Sequence, residues 1–214
     1  MRFTAYSALL TFAAKNDDSE IVASSLPQLP HWLTQWEVSQ TQKEEILSQV
    51  SNLLSEYSGN ATQAYAHHLL YVRFLSNSKS SKAKAAVEKL IADAVRLHSV
   101  FEFGSLLEID AVQQLKAEPI GQLLTVLTEG NHKDVQTWWS KHEAEATRLN
   151  IPKQQLERKA RLLDLADLCA KSVSKEIPYA QIAQTIDATE DDVELWVIDG
   201  ESSRLLFLNR WDSC

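Results

Sequence analysis

The chain has 214 residues, of which 44% are hydrophobic, and this length and composition predict a soluble globular protein with one or two domains. Its formal net charge of −8 argues against non-specific binding to nucleic acid or to an anionic membrane, because both depend on Lys and Arg meeting phosphate. No apolar run reaches the roughly 20 residues of a membrane span. The two cysteines allow at most one disulfide within the chain, which fits a reducing compartment.

Before residue 177 the apolar residues recur at helical spacing, and no strand pattern competes with them. Short joints that contain Pro, Gly, Asn or Ser separate these stretches. Successive helices with such joints predict an irregular stack of helical hairpins of the α-solenoid type. The clearest apolar faces are Leu47, Val50, Leu54 and Tyr57; Ala83, Val87, Leu90, Ile91 and Ala94; Val135, Trp138, Trp139, His142 and Leu149; and Leu162, Ala166, Cys169 and Val173.

The stretch from Ile177 to Trp211 has the pattern helix, turn, helix, strand, with the strand at Leu205 to Leu208, and this pattern is typical of a winged helix. Thr189 and Asp192 predict a capping-box-like start for the second helix. Two short helices and one strand bury too little apolar surface to fold alone, so we expect the helix Gln154 to Ser172 to seat them. The expected faces are Tyr179, Ile182, Ala183 and Ile186 on the first helix, and Val193, Trp196, Val197 and Gly200 on the second.

Motifs that carry chemistry are missing from the sequence. Neither GxGxxG nor GxxxxGK[ST] occurs among the five glycines, and no GxSxG elbow is present. The adjacent His67 and His68 point about 100° apart on a helix, so they cannot chelate one ion, and we expect them to be polar caps over a half-buried helix. Asp164 and Asp167, with Arg161, are expected to form a solvated row of ion pairs. We predict no catalytic, cofactor-binding or metal-binding residue.

Two features favour protein contacts. Either Trp138 lies in the core and Trp139 in the groove to the next helix, or the reverse, or one ring anchors a partner subunit. From Thr189 to Arg204 there are six acidic residues and one base, so we expect this second helix to pack within the chain or to face another protein, and not to enter a DNA groove.

Four segments carry a resemblance to the PCI-domain family, whose members are scaffold subunits of the proteasome lid, the COP9 signalosome and eukaryotic translation initiation factor 3. Within it the chain is most similar to the m-subunit family of initiation factor 3. The segments are MRFTAYSALL at residues 1–10, LPHWLTQW at 29–36, KARLLDLADL at 159–168 and, most specifically, DDVELWVID at 191–199.

The resemblance implies an all-α fold, in which an irregular helical-hairpin stack is followed by a fused, truncated winged helix with one short strand. The expected domains are N-terminal hairpins at 1–60, the helical-repeat part at 61–176 and the winged-helix part at 177–214. The family continues into further wing strands and a long C-terminal helix. The chain is therefore expected to be a fragment, a truncated isoform or an incomplete gene model.

The resemblance also implies a non-enzymatic scaffold subunit in the cytoplasm. Its partners would be neighbouring PCI subunits of initiation factor 3, with the small ribosomal subunit contacted indirectly. A subunit of the signalosome or proteasome lid, or a winged-helix adaptor for nucleic acid, are the alternatives. The expected interface residues are Trp138, Trp139, Asp191, Asp192, Glu194, Leu205, Phe207 and Trp211.

Overall fold

The computed structural model describes residues 2–16, 18–36, 38–56, 61–78, 80–172 and 176–203. Over these ranges the secondary structure is helical, without a strand, which confirms the predicted all-α class. The strand predicted at Leu205 to Leu208 lies outside the described residues. The helices are α1 (Arg2–Asn16), α2 (Ser19–Ser25), α3 (Leu29–Gln35), α4 (Gln40–Glu56), α5 (Ala61–Ser78), α6 (Ala83–Arg96), α7 (Gly104–Leu107), α8 (Asp110–Gln113), α9 (Pro119–Glu129), α10 (His132–Arg148), α11 (Lys153–Lys171), α12 (Tyr179–Ile186) and α13 (Val193–Ser202), with a 3₁₀ turn at Glu190–Asp192.

The chain divides into two compact units, Met1–Leu90 and Ile91–Cys214. In the first, α4 packs against α5, and α1 and α2 pack against α4. The Tyr6 ring meets Trp32 and Trp36 edge-on at 5.9 and 5.6 Å between ring centroids, and its hydroxyl lies 2.9 Å from Ser25 Oγ. The three-domain division expected from the sequence stays a prediction.

Both neighbouring histidines of α5 belong to the core of the first unit. His67 is 6% exposed and His68 3% exposed. Burial, with a smaller contribution from His68, lowers the pKa of His67 to about 4, so the ring is neutral at physiological pH. They are therefore buried more deeply than polar caps over a half-buried helix, the role that their spacing suggested.

In the second unit successive helices pack on one another, α9 on α10, α10 on α11, and α11 on α12 and α13. Helix α10 starts with a capping box, in which Asn131 Oδ1 accepts from the backbone N–H of Lys133 and Asp134 while Asp134 Oδ2 accepts from the Asn131 N–H. Its backbone kinks at His142, where φ is −128°. Helix α11 spans 19 residues and confirms the long joint helix predicted here.

A buried lysine ties α11 to the segment that follows α6. Lys159 is 1% exposed, and its Nζ donates to the carbonyl oxygen of Ala94 at 2.5 Å and to that of Val100. The rings of Phe101 and Phe103 lie 5.0 and 5.3 Å from Nζ. Ala94 is in the last turn of α6, where unpaired carbonyls favour a cation. Burial, and then Arg158, lower the pKa of Lys159 to about 7.

An aspartate of α11 holds the first turn of α10. Asp164 Oδ2 accepts from the His132 backbone N–H at 3.0 Å and from His132 Nδ1 at 2.6 Å. The two side chains are 10% and 5% exposed. Asp167, one turn along, is 60% exposed and pairs with Lys171. The solvated row expected of Asp164, Asp167 and Arg161 is therefore wrong at Asp164, because α10 packs over that side of α11.

Gly121 in α9 is required by close packing. A Cβ at this position would lie 2.7 Å from Leu115 C and Lys116 Cα, and nearer still to Leu115 O. We expect Gly121→Ala to lower the free energy of unfolding by about 1 kcal/mol or more, because overlap with backbone outweighs the ~1 kcal/mol that Ala gains over Gly in a helix. Urea unfolding measures this. Gly104→Ala is the matched control, since nothing lies within 4 Å of its Cβ, and equal effects would contradict the prediction.

Asp164→Ala should lower the free energy of unfolding by about 1–3 kcal/mol, because two buried donors of His132 lose their acceptor. Asp167→Ala, on the same helix but exposed, should change it by less than ~0.5 kcal/mol. Chemical denaturation of both variants gives the comparison. Similar losses in the two would show that the buried contact contributes no more than a surface ion pair.

Lys159→Met should remove part of the pH dependence of stability. Between pH 7 and about 10 the unfolded chain holds a proton on this lysine more often than the folded chain, so raising the pH favours the folded state by at most ~1.4 kcal/mol per pH unit. In the variant, the free energy of unfolding should therefore rise less steeply with pH. Lys153→Met, whose side chain is 56% exposed, is the control. Parallel slopes for wild type and Lys159→Met would contradict the prediction.

Candidate protein-interaction surface

The second unit contains a cleft of about 1040 Å³ between the α9–α10 turn, α11 and α12. His132 and Asp164 line it, and a histidine paired with a carboxylate is part of hydrolytic triads. Here His132 Nε2, the nitrogen that would activate a nucleophile, is buried and has no partner among the described residues. The pair therefore acts as a structural clamp. Charges of both signs line the rest of the cleft, at Glu102, Glu129, Lys133, Asp167 and Lys171.

Metal-ligand clusters and free thiols are the other possible centres of chemistry. Within the described ranges, no group of three or more His, Cys, Asp or Glu side chains could hold a metal ion. Cys169 is half-buried between α11 and α12, and burial raises the pKa of its thiol. Among the helices that the structure describes, none is both long and apolar enough to cross a membrane.

The helix-turn-helix formed by α12, the 3₁₀ turn and α13 is seated on α11 by an apolar cluster. Partly buried side chains, Trp196 and Val197 among them, surround this cluster. Of the side chains predicted to form the core faces of α12 and α13, only Tyr179 points away from this cluster, with 55% of its surface exposed. The buried members are Leu165 of α11 with Ile182, Ala183, Ile186 and Val193.

The turn between α12 and α13 differs in detail from the prediction. Asp187 ends α12 in the left-handed region, with φ at 52°. Thr189 Oγ1 donates to Asp192 Oδ2 at 2.7 Å, so the two side chains bond to each other instead of capping backbone N–H groups. The resulting 3₁₀ turn delays the start of α13 to Val193.

Two arginines of α11 hold α13 from the same side. Arg158 donates to Asp199, and the Arg161 guanidinium lies 5.7 Å from the centre of the Trp196 ring. Trp196 also packs against a second apolar cluster, formed by Phe101, Leu162 and Ala166. The core role predicted for Trp196 is thus confirmed, although the ring is only partly buried.

The outward side of α13 combines aliphatic and acidic side chains. Leu195 is 67% and Ile198 53% exposed, and a spacing of three residues puts them on one face. Residues 176–203 contain eight acidic side chains and no Lys or Arg, so this segment carries a formal charge as large as that of the whole chain, −8. The acidic residues predicted for the interface, Asp191, Asp192 and Glu194, are exposed here.

The other residues predicted for the interface are either buried or outside the described residues. Trp138 and Trp139 are 4% and 9% exposed, and Trp138 Nε1 donates to Pro119 O at 2.8 Å. Both rings are buried because α10 packs against α9 on one side and α11 on another, which favours the core interpretation of the pair. Leu205, Phe207 and Trp211 lie outside the described residues.

The exposed pair Leu195 and Ile198 was missed by sequence reasoning. The available signal was that both lie in an apolar run, yet neither shares the face of Val193, Trp196, Val197 and Gly200. An apolar residue off the predicted core face of an amphipathic helix is a candidate for a contact outside the chain.

Comparison with known proteins finds several curated relatives, three of which are described here, although no protein-family model matches the chain. Subunit M of eukaryotic translation initiation factor 3 from Phaeosphaeria nodorum is 28% identical over 204 residues, which is 93% of this chain and 46% of the relative. The same subunit from Schizosaccharomyces pombe is 26% identical over 198 residues, 92% of this chain and 48% of the relative. That from Dictyostelium discoideum is 22% identical over 213 residues, 96% of this chain and 52% of the relative.

The chain thus spans about half the length of the curated relatives that it matches. A match over 96% of this chain, as with the relative from Chaetomium globosum, takes in helices of both units and the segment 191–199 in the 3₁₀ turn and α13. Over most of its length the chain is similar to subunit M of eukaryotic translation initiation factor 3, and the resemblance predicted from the sequence is confirmed.

Proposed function

We propose that the chain is a non-enzymatic scaffold subunit of eukaryotic translation initiation factor 3, which supports translation initiation in the cytoplasm through contacts with other PCI-containing subunits. The observation that carries the proposal is the match to subunit M over more than nine-tenths of the chain in relatives from distant organisms. Contact with the small ribosomal subunit would be indirect, through the assembled factor.

The fold supports a scaffold role. Helical stacks present long surfaces on which neighbouring subunits pack, and a helix-turn-helix seated on the last long helix adds a second surface. The acidic character of that surface favours protein over nucleic acid, because a phosphate backbone would be repelled by the eight carboxylates of residues 176–203. The predicted domains at 1–60, 61–176 and 177–214 remain part of this proposal.

Recovery of partners from cells tests the proposal. The full chain with an affinity tag is expressed in eukaryotic cells, and the proteins that copurify with it are identified by mass spectrometry. We expect enrichment of several initiation factor 3 subunits over a culture that expresses the tag alone. Signalosome or proteasome-lid subunits without initiation factor subunits would overturn the proposal in favour of those assemblies.

A nucleic-acid adaptor is the alternative of a different class, and binding to RNA separates it from a scaffold. A fluorescent single-stranded RNA and a DNA duplex are titrated with the purified chain at several salt concentrations. A scaffold predicts no measurable binding. An affinity that falls steeply with increasing salt would indicate phosphate contacts and support the adaptor instead.

A further inference from the structure

We infer that the outward side of α13 docks an amphipathic segment of a protein partner that carries Lys or Arg beside its apolar side chains. We call this surface the α13 face, and it consists of Leu195 and Ile198 with Asp191, Glu194 and Glu201 around them. The inference deepens the proposed function, on which it rests for the identity of the partner as a subunit of the same assembly.

The apolar part of the α13 face is unusual for a helix that packs on one side only. Val193 is fully buried, Trp196 and Val197 pack against α11, and Leu195 and Ile198 point away from that contact. Apolar side chains thus occupy most of the circumference of α13. A helix with this pattern is normally covered on both sides, whereas the described residues cover one.

The acidic side chains around Leu195 and Ile198 indicate which kind of partner can bind to the α13 face. Glu190, Asp191, Asp192, Glu194 and Glu201 are all exposed near the two aliphatic side chains. Arg158 and Arg161, the cations that reach α13 from α11, are engaged on its inner side with Asp199 and Trp196. Among the described residues no Lys or Arg pairs with these carboxylates, so a partner that covers the α13 face meets negative charge that Lys or Arg on that partner would offset.

The same charge excludes other occupants. A second copy of this chain would bring its own α13 face, and like charges would repel across a symmetric contact. Nucleic acid and anionic lipid are disfavoured for the same reason. Val193 packs in the core and Asp199 pairs with Arg158, so two contacts anchor α13 to α11 and orient the α13 face.

Binding of designed peptides tests the chemistry. The probes are three labelled 18-residue peptides: one with Leu at helical spacing and Lys elsewhere, one with Glu in place of Lys, and one with Ser in place of Leu. Fluorescence anisotropy with the full chain should show binding of the Leu/Lys peptide alone. Equal affinity for the Leu/Glu peptide, or for the Ser/Lys peptide, would overturn the proposal.

Substitution locates the surface. The double substitution Leu195→Ser and Ile198→Ser should lower the affinity for the Leu/Lys peptide at least about tenfold, because the apolar contacts of the peptide are lost. Asp191→Lys with Glu194→Lys should shift the preference toward the Leu/Glu peptide. The matched control combines Phe12→Ser and Tyr179→Ser, two side chains that are each 55% exposed but lie elsewhere. A loss in the control equal to that in Leu195/Ile198 would mean that the peptide binds non-specifically.

The melting temperature shows whether the chain itself covers the α13 face. Exposed substitutions should move Tm by less than about 2 °C. A fall of more than about 5 °C for the Leu195/Ile198 variant would indicate burial against other residues of this chain, such as 204–214, and would overturn the proposal.

Recovery of partners from cells separates this inference from the proposed function. If the wild type and the Leu195/Ile198 variant recover initiation factor subunits equally, the α13 face is not the docking site, and the proposed function stands. If the wild type recovers none but binds the Leu/Lys peptide through this face, the surface stands and the proposed function fails. Loss of those subunits in this variant alone supports both.

Discussion

Helix α11 has to pack on two sides at once, and the arrangement of the second unit depends on this. One side buries Leu162 and Ala166 against Phe101, and another buries Leu165 against α12 and the start of α13. The helix-turn-helix has too few apolar residues to form a core of its own, so it acquires one only by sharing α11. The position of α13 is therefore set by the packing of the hairpins before it.

Buried polar groups make this arrangement specific. Lys159 and Asp164 each lie on α11 and each bind groups from another element, the carbonyls of Ala94 and Val100 in one case and the first turn of α10 in the other. Apolar contacts alone tolerate small shifts along a helix, whereas a buried charge without its partners costs several kcal/mol. These two side chains thus fix the register of α11 against its neighbours.

The contacts on the inner side of α13 determine which charges remain on its outward side. Because the arginines of α11 are engaged with Asp199 and Trp196, they do not neutralise the carboxylates that face outward. Aliphatic and acidic side chains are left together on the outward surface of α13. Such a surface suits a partner that is both cationic and apolar. Substitutions on the α13 face can therefore test whether the chain assembles with other subunits, as its similarity to subunit M suggests.

The sequence predicted the helical class, the long joint helix and the core side of the helix-turn-helix, because these follow from the spacing of apolar residues along the chain. It also determined the family resemblance, which the segment at Asp191 to Asp199 carries, and the acidic character of that segment. Which side chains are buried depends on the packing of helices that are distant in the sequence. Lys159 and Asp164 look like solvated helix residues in the sequence, and their burial depends on elements 32 or more residues away. Likewise, the burial of both Trp138 and Trp139 and the exposure of Leu195 and Ile198 depend on how many neighbours each helix acquires, which local spacing does not encode.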